Sequence, residues 1–413
     1  MTQAAQTKPR LPFWELVAIV AASMALNALA VDIMLPALGI IGDELGAAHD
    51  NDRQLIIIVY VLANGIAQLF FGPIVDRFGR KRVLLWSLAG YTAGSLLSII
   101  ASSFTLFLAA RAFQGVATAA TRVAAVAIVR DQCSGRRMAE VMSLAITIFM
   151  AAPILAPGIG QLILFAAPWR WIFIALLVFG AAFGVWAIFR LPETMAPEDV
   201  KPLRLRPIVA SYLVFVTNKI SIGYTLAAAS FFGAVFSYIS SAEQVFLDVF
   251  KLGEKFTLVF AVIASAFAVS TLTNSRLVSR FGMRRLSHGA MLVFIAANVL
   301  HLIVLMTIGE SLAVFTACMM ASFLCMGFIG PNATALAMEP MGHNAGSAAA
   351  INGFAGTTIA GLLGGIIGAQ FDGTTTPMVI GFVLLGVAGS LLIFWTENGK
   401  LFGVGEHEPE PAE

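Results

Sequence analysis

Twelve long apolar runs, separated by short breaks with charged residues, glycine or proline, divide this chain of 413 residues. A helix needs about 20 apolar residues to cross a bilayer, and each run is long enough. Only 12% of the residues are charged, against about 25% in soluble domains, which excludes a water-soluble fold. The runs predict an all-α integral membrane protein with twelve transmembrane helices, numbered here as spans 1 to 12: 14–38, 54–73, 83–101, 105–129, 140–166, 169–190, 220–247, 256–275, 286–308, 311–338, 345–371 and 377–396.

The scarcity of charge also argues against nucleic-acid binding, because proteins of that class carry a basic patch or domain. The cysteines Cys133, Cys318 and Cys325 form no CxxC pair, and no two histidines share a helix at ligand spacing. We therefore expect no nucleic-acid partner, no metal site and no cofactor. The cysteines are expected to pack as small apolar residues.

Lysine and arginine indicate the orientation in the membrane, since loops rich in these residues stay in the cytoplasm. They concentrate in both termini and in the breaks after spans 2, 4, 6 and 8. Both termini are therefore predicted to be cytoplasmic. The opposite side holds only Arg53, Arg170, Lys251 and Lys255.

An internal repeat divides the chain into two halves. The segment 72–82, GPIVDRFGRKR, reappears 203 residues later as 275–285, SRLVSRFGMRR, after the second span of each half. Parallel repeats are typical of transporters that rock one bundle against the other around a central site. Four prolines between the halves indicate a linker. We predict a first six-helix bundle over 1–190, a cytoplasmic linker over 191–218, a second bundle over 219–396 and a cytoplasmic tail over 397–413.

The first copy of the repeat matches the GxxxDRxGRK loop signature of the major facilitator superfamily, and the chain resembles that superfamily in Gly72, Asp76, Arg77, Gly79, Arg80 and Lys81. Gly72 would permit close helix approach, Gly79 a tight turn, and Asp76 an ion pair. The cluster predicts a conformational latch, paired when the cytoplasmic side is closed and broken when it opens. The alternative is a generic positively charged loop. Because Ser279 and Met283 replace Asp76 and Arg80 in the second copy, any latch should be asymmetric.

Span 4 carries Arg111-Ala-Phe-Gln-Gly115, which resembles the RxxQG motif of the superfamily's drug:proton antiporters. Helical spacing places Arg111, Thr118 and Arg122 on one stripe with Gly115, and Gln114 lies beside them. A buried arginine facing lipid would cost several kcal/mol. The stripe is therefore expected to face a water-filled cavity or a carboxylate. Snorkelling of Arg111 to the outer interface is the alternative.

Span 1 holds the only carboxylate well inside an early span, Asp32. At 1.5 Å per residue, Asp32 lies about 24 Å into a 30 Å core, and Arg111 lies about 9 Å below the outer edge, at a similar depth. Burial favours the neutral acid, whereas a nearby arginine favours the carboxylate. We predict that Asp32 exchanges protons and that Arg111 supplies the opposing charge. A static structural pair is the alternative.

Span 5 contains Ala152-Pro-Ile-Leu-Ala-Pro-Gly-Ile-Gly160, which resembles the fifth-helix motif of antiporters. The prolines should bend the helix, and the glycines should let neighbouring helices approach. The match is partial, because Ala156 and Gln161 replace two of the usual glycines. A kinked structural helix is the alternative reading of Pro153, Pro157, Gly158 and Gly160.

The DxxxP element of span 1, the Pro192-Glu-Thr194 segment after span 6 and the 330–337 segment of span 10 resemble the bicyclomycin/chloramphenicol-resistance family of drug:proton antiporters. This resemblance covers nearly all of the chain. The family's usual tyrosine after the aspartate is Met34 here, and its usual arginine late in helix four is Val126. Arg122, one turn earlier, could substitute for that arginine. Glu243, near the outer end of span 7, is either a solvated loop carboxylate or a second titrating or cation-attracting site.

The resemblance implies a bacterial inner-membrane exporter that exchanges small amphipathic drugs for protons, driven by the proton gradient. An exporter of a cell metabolite, such as an amino acid derivative, is the alternative, and an enzyme is not expected. The partners are then the cargo, protons and the lipid bilayer, and we expect a monomer. The candidates for the substrate cavity are polar and aromatic residues inside the spans. They are Gln114, Thr118, Arg122 and Glu243, named above, and also Tyr60, Asn64, Phe236, Tyr238, Asn332 and Asn352.

Overall fold

The computed structural model describes residues 11–133, 135–196, 200, 203 and 205–403. Within these residues, twelve helices are long and apolar enough to cross a membrane, as predicted, and none of these residues lies in a β-strand. Spans 1 and 2 include the 3-10 turns Leu35–Ala37 and Asp50–Gln54. The α-helices of the first half are Phe13–Asp32, Leu38–Leu45, Leu55–Phe78, Arg80–Ile100, Phe104–Gln132, Gly135–Ala166 and Arg170–Arg190.

The second half repeats this order and adds two π-helical turns, Val245–Val249 at the end of span 7 and Ala355–Ile359 inside span 11. Its 3-10 turns are Gly253–Lys255 and Glu339–Asn344. Its α-helices are Lys219–Gln244, Phe256–Phe281, Met283–Ile308, Leu312–Met338, Ala345–Phe354, Ala360–Gly368 and Thr376–Thr396.

The two copies of the repeat form the same turn. Spans 2 and 8 continue to Phe78 and Phe281, about a turn and a half beyond the apolar runs, because the polar residues of the repeat stay helical. Each helix then ends at a glycine with positive φ, Gly79 at 96° and Gly282 at 79°. This backbone conformation favours glycine over residues with a Cβ atom. The tight turn predicted at Gly79 is confirmed.

The predicted linker contains a helix, Leu205–Thr217, which the sequence pattern did not indicate. The Tyr212 hydroxyl donates to the carbonyl oxygen of Leu69 in span 2 at 2.6 Å. Phe215 is buried and packs with Ile351 of span 11. The linker helix therefore contacts both halves. The predicted tail beyond residue 403, like residues 1–10, lies outside the described residues.

Spans 1 to 6 pack mainly on one another, and spans 7 to 12 do the same. The two bundles meet where span 2 packs on span 11 and span 5 packs on span 8. Following the predicted orientation, we call the membrane side that carries residues 46–54 the outer side and the side that carries Gly79 the inner side.

Candidate transport site

Arg111 lies at the centre of the first bundle and is fully buried. Its Nη2 atom donates to the carbonyl oxygen of Ala30 at 2.8 Å, its Nε atom donates to that of Ile56 at 3.3 Å, and its Nη1 atom donates to the Gln114 side chain. The guanidinium also lies 4.4 Å from the centroid of the Tyr60 ring. Carbonyl oxygens and an aromatic face therefore stabilise this charge, and snorkelling to the interface is not observed.

Several predicted cavity residues join spans 1, 2 and 4 instead of facing open space. The Tyr60 hydroxyl donates to Asn27 Oδ1 at 2.9 Å and lies 2.9 Å from the hydroxyl of Thr118. Asn64 donates to the same Asn27 oxygen at 3.0 Å and to the carbonyl oxygen of Gly115 at 3.1 Å. Helix interfaces within membranes often use such hydrogen bonds between polar side chains. Tyr60, Asn64 and Thr118 are buried, as is Gln114.

Asp32 ends the α-helical part of span 1, just before the turn that contains Pro36. Its residue surface is 4% exposed, and no hydrogen bond or ion pair joins its carboxyl to any other described residue. Arg111 binds the carbonyl oxygen of Ala30, two residues before Asp32 in span 1. Arg111 and Asp32 therefore lie at similar depths, as predicted. The static pair of Asp32 and Arg111, which was the alternative, is not observed, because Arg111 directs its donors to two carbonyls and Gln114.

Across the bundle interface, Asp32 lies within electrostatic reach of Tyr238 in span 7. The Tyr238 hydroxyl is buried and makes no hydrogen bond with the described residues. Its ring packs against Phe260 and Phe323, with centroids 5.5 and 5.0 Å apart. Tyr238 is therefore held by the aromatic core of the second bundle while its hydroxyl remains close to Asp32.

Arg122 differs from the other candidates on span 4 because it is exposed. Two candidates in the second bundle are buried: Asn332 donates to Asn274 at 2.8 Å, and Asn352 is 9% exposed. Phe236 is half-buried where span 7 approaches Gly364 of span 11. Among the predicted cavity residues, Arg122 is thus the charged one that solvent can reach.

Glu243 does not lie in a loop; it is a buried residue that pairs with the first bundle. Arg53 Nη1 lies 3.1 Å from Glu243 Oε2, and Arg53 Nη2 lies 2.6 Å from Asp248 Oδ2. Glu243 also lies against Gly39, where an added Cβ atom would meet its Oε1 atom at 2.7 Å. The reading of Glu243 as a solvated loop carboxylate is therefore wrong.

Amide side chains extend this contact at the outer side. Gln54 donates to Gln244 and, at 3.0 Å, to the carbonyl oxygen of Gly368. Gln244 donates to Asn51 at 2.7 Å, and Asn51 donates to the carbonyl oxygen of Phe371 at 3.0 Å. We call this set the outer lock; it consists of Asn51, Arg53 and Gln54 of the first bundle and Glu243, Gln244, Asp248, Gly368 and Phe371 of the second.

The sequence indicated only Glu243 of the outer lock. Its other members are polar residues at the ends of spans 2 and 7, where polar residues are common, and the backbone carbonyls of Gly368 and Phe371 at the end of span 11. The sequence signal for the outer lock would have been a pair of charged or amide residues, one at the end of a span in each bundle. Away from this outer contact, Gln68 donates to Thr357 across the two bundles at 3.3 Å, beside the π-helical turn of span 11.

The predicted latch is an ion-pair cluster inside the first bundle. Arg80 is buried, with Nε 2.8 Å from Asp131 and Nη2 3.2 Å from Asp76. The backbone N–H of Arg80 donates to Glu193 at 2.9 Å, and Lys81 donates to the carbonyl oxygen of Ile188. The described partners of this cluster belong to the first bundle and to the segment just after span 6 that contains Glu193, and Arg77 is exposed. The cluster therefore joins the inner ends of spans 2, 3, 4 and 6.

The expectation for Gly72 is wrong, because an added Cβ atom there would meet no atom within 4 Å. The same is true of Gly158 in span 5. Gly160 does allow a close approach, since its Cβ position would overlap the carbonyl oxygen of Ile33 in span 1. Pro153 and Pro157 lie inside one continuous helix that packs on span 1.

The second copy of the repeat forms an ion-pair cluster of its own. Arg284 is buried, with Nε 3.0 Å from Glu397 and Nη2 3.5 Å from Glu339. The Tyr224 hydroxyl donates to the same Glu397 at 2.6 Å. Alignment of the repeat placed Met283 opposite Arg80, so the sequence predicted a missing arginine. Arg284, one residue later, takes the comparable role.

Comparisons with known proteins agree with this architecture. The chain is 28% identical over 362 residues to a bicyclomycin resistance protein homolog of Haemophilus influenzae, covering 84% of this chain and 87% of that protein. It is 27% identical over 386 residues to the multidrug resistance protein MdtL of Escherichia coli, covering 92% and 94%.

The crystal structure of the human organic anion transporter MFSD10 (TETRAN) shares the fold, with a TM-score of 0.69 at 18% identity over 93% of this chain and 100% of that one. A family model described as Major Facilitator Superfamily matches residues 20–365. That match covers most of the chain. This multi-pass membrane protein therefore belongs to the Major Facilitator Superfamily, whose members are transporters and not enzymes.

Proposed function

We propose that the protein is an antiporter of the bacterial inner membrane that exports small amphipathic compounds in exchange for protons. The observation that carries this proposal is the environment of Asp32, a buried carboxyl inside a membrane span with no ion-pair partner among the described residues. Such a group binds or releases a proton when a substrate or a movement of the bundles changes its surroundings. The proton gradient then supplies the energy.

The outer lock supports an alternating-access cycle. In the proposed cycle, the cavity loads cargo from the inner side while the outer lock is formed. Rocking of the two bundles separates Arg53 from Glu243 and opens the outer side, where cargo leaves and Asp32 takes up a proton. Return of the bundles brings Asp32 back to the inner side, where it releases that proton. Because one chain supplies both bundles, a monomer suffices.

The choice of drugs as cargo rests on relatives named for bicyclomycin and multidrug resistance, and on the apolar spans around a few polar groups. The test is expression in an efflux-deficient bacterial host, challenged with a panel of antibiotics, dyes and amino acids. Inverted membrane vesicles from the same cells would report proton release when a resisted compound is added. We expect resistance to at least one neutral or zwitterionic drug, chloramphenicol first, and no resistance to dicationic dyes.

The same experiment separates the alternatives. Proton-coupled flux of an amino acid derivative without resistance to any drug would identify a metabolite exporter with the same fold. Resistance without proton release would contradict proton coupling while leaving drug export intact.

A further inference from the structure

Arg122 lies on the face of span 4 that points to the centre of its bundle. Arg111 and Gly115 share that face by helical spacing and contact the backbones of spans 1 and 2. Arg122 follows Gly115 by seven residues, two turns along the same stripe, and is exposed together with Val126. The exposed lipid side of span 4, at Phe113 and Val116, lies at other angles around the helix. The stripe thus becomes accessible only on the inner half of the span, at Arg122 and Val126.

The position of Arg122 along the helix is deep. Ten residues separate it from Gln132, the inner end of span 4, which corresponds to about 15 Å. A cation at such a depth is costly against lipid and is normally paired or in a water-filled cavity. Its exposure therefore means that it faces water and not acyl chains.

No hydrogen bond or ion pair joins Arg122 to any other residue in the described part of the chain, and no acidic residue acts on its charge there. Arg111, by contrast, has two carbonyls, an amide and an aromatic ring as partners. The polar neighbour Thr121 already donates to the carbonyl oxygen of Thr118. Arg122 is thus an exposed guanidinium whose donors bind no other described residue.

The buried carboxylates of Asp32 and Glu243 do not neutralise it. Asp32 lies beside Tyr238 on the outer half of span 1, and Glu243 is engaged by Arg53 in the outer lock. Among the described residues, the positive charge of Arg122 on the inner half of span 4 therefore has no compensating carboxylate. A planar guanidinium binds a carboxylate through two parallel hydrogen bonds, which adds both affinity and orientation.

We propose that Arg122 is an anion anchor, which binds compounds that carry a carboxylate on an apolar, aromatic-sized body more tightly than neutral compounds of the same shape. This proposal rests on the transport function proposed above and adds that, among small amphipathic compounds, organic monocarboxylates are the preferred ligands. The carboxylate would bind Arg122, and the apolar body would lie along exposed neighbours such as Val126.

Equilibrium binding to the purified full-length protein in lipid nanodiscs tests the anchor. The probes are benzoate, 2-naphthoate and diphenylacetate, each paired with its neutral amide. For the tightest acid, we expect at least about a tenfold preference over its amide in the wild-type protein, in line with a charge-assisted pair. Arg122→Gln should remove that preference, and Arg122→Lys should retain part of it. Arg276→Gln, which removes an exposed arginine at the inner end of span 8, is the matched control and should keep the preference.

Three results would overturn the anchor: wild-type protein that binds none of the three acids, wild-type protein that binds acid and amide equally, or an Arg122→Gln variant that keeps the preference. If Arg122→Gln does not fold by size-exclusion chromatography, Arg122→Lys alone decides, because the point charge of lysine lacks the bidentate geometry and must weaken binding. Binding requires no proton gradient. Loss of proton release in vesicles with an intact acid preference would therefore contradict the antiport proposal and not the anchor.

Discussion

The guanidinium of Arg53, in the first bundle, lies 3.1 Å from the carboxylate of Glu243 in the second, and both side chains are largely shielded from solvent. An ion pair at this place connects the two halves at the outer side. Because the outer side cannot open without separating these residues, their interaction contributes directly to the free-energy difference between the closed and open states.

Glu243→Gln should therefore favour opening at the outer side. Because Arg53 keeps Asp248 as a partner, we expect the closed state to lose about 1–2 kcal/mol relative to the open state, which shifts their populations roughly tenfold. This loss is smaller than the full cost of a buried charge with no partner. Spin labels at Ala48→Cys and Gln370→Cys, with the three native cysteines replaced, would measure the distance between the bundles. Glu254→Gln, an exposed glutamate on the same side, is the control and should leave the distances unchanged.

Asp32→Asn should abolish accumulation of cargo against a gradient while retaining binding and downhill exchange, because the amide fills the same volume but releases no proton. Transport in proteoliposomes with and without an imposed pH gradient would measure both activities. Asp50→Asn, an exposed change on the outer side, should transport normally. Uphill transport by Asp32→Asn would assign proton exchange to another carboxylate.

Gly160→Ala should disturb the contact between spans 1 and 5, since a methyl group there overlaps the Ile33 carbonyl oxygen. We expect a loss of about 1–3 kcal/mol of stability, the usual cost of overpacking, and reduced transport. Gly158→Ala places the same methyl group in open space two residues away and should be neutral or slightly stabilising. Thermal unfolding of the two variants side by side gives the comparison, and equal unfolding temperatures would contradict the close approach.

Asp76→Asn should reduce transport without preventing membrane insertion, because it removes one charge from the inner ion-pair cluster. Asp76 is partly exposed, so its stability effect should stay within about 1 kcal/mol. Arg80→Gln should be more damaging, by about 3–5 kcal/mol, because it removes the buried cation that both Asp76 and Asp131 contact. Transport rates and unfolding temperatures of the two variants test which change is more damaging. Wild-type turnover in Asp76→Asn would show that the cluster acts only as a signal for membrane topology.

The orientation is testable by cysteine labelling from outside intact spheroplasts. Ala48→Cys and Ala167→Cys should react with a membrane-impermeant maleimide, whereas Arg77→Cys and Arg285→Cys should react only after the cells are opened. The reverse pattern would overturn the assignment from positive loops.

The sequence by itself determined the twelve spans, the repeat and the family. Each of these depends on local information: an apolar run must be helical in lipid whatever it contacts, and the turn at Gly79 requires a residue that tolerates positive φ. The RxxQG motif likewise identified Arg111 as a charge inside span 4, and the structure buries it.

Which partners those residues meet was decided by the tertiary structure alone. Arg111 binds the backbone carbonyls of Ala30 and Ile56, and carbonyls leave no mark in a sequence because every residue has one. Arg53 and Glu243 are separated by 190 residues and meet only because the bundles close at the outer side. Gly72 and Gly160 look alike in the chain, yet only Gly160 faces another helix, since the angle at which two helices pack determines which side of each is crowded.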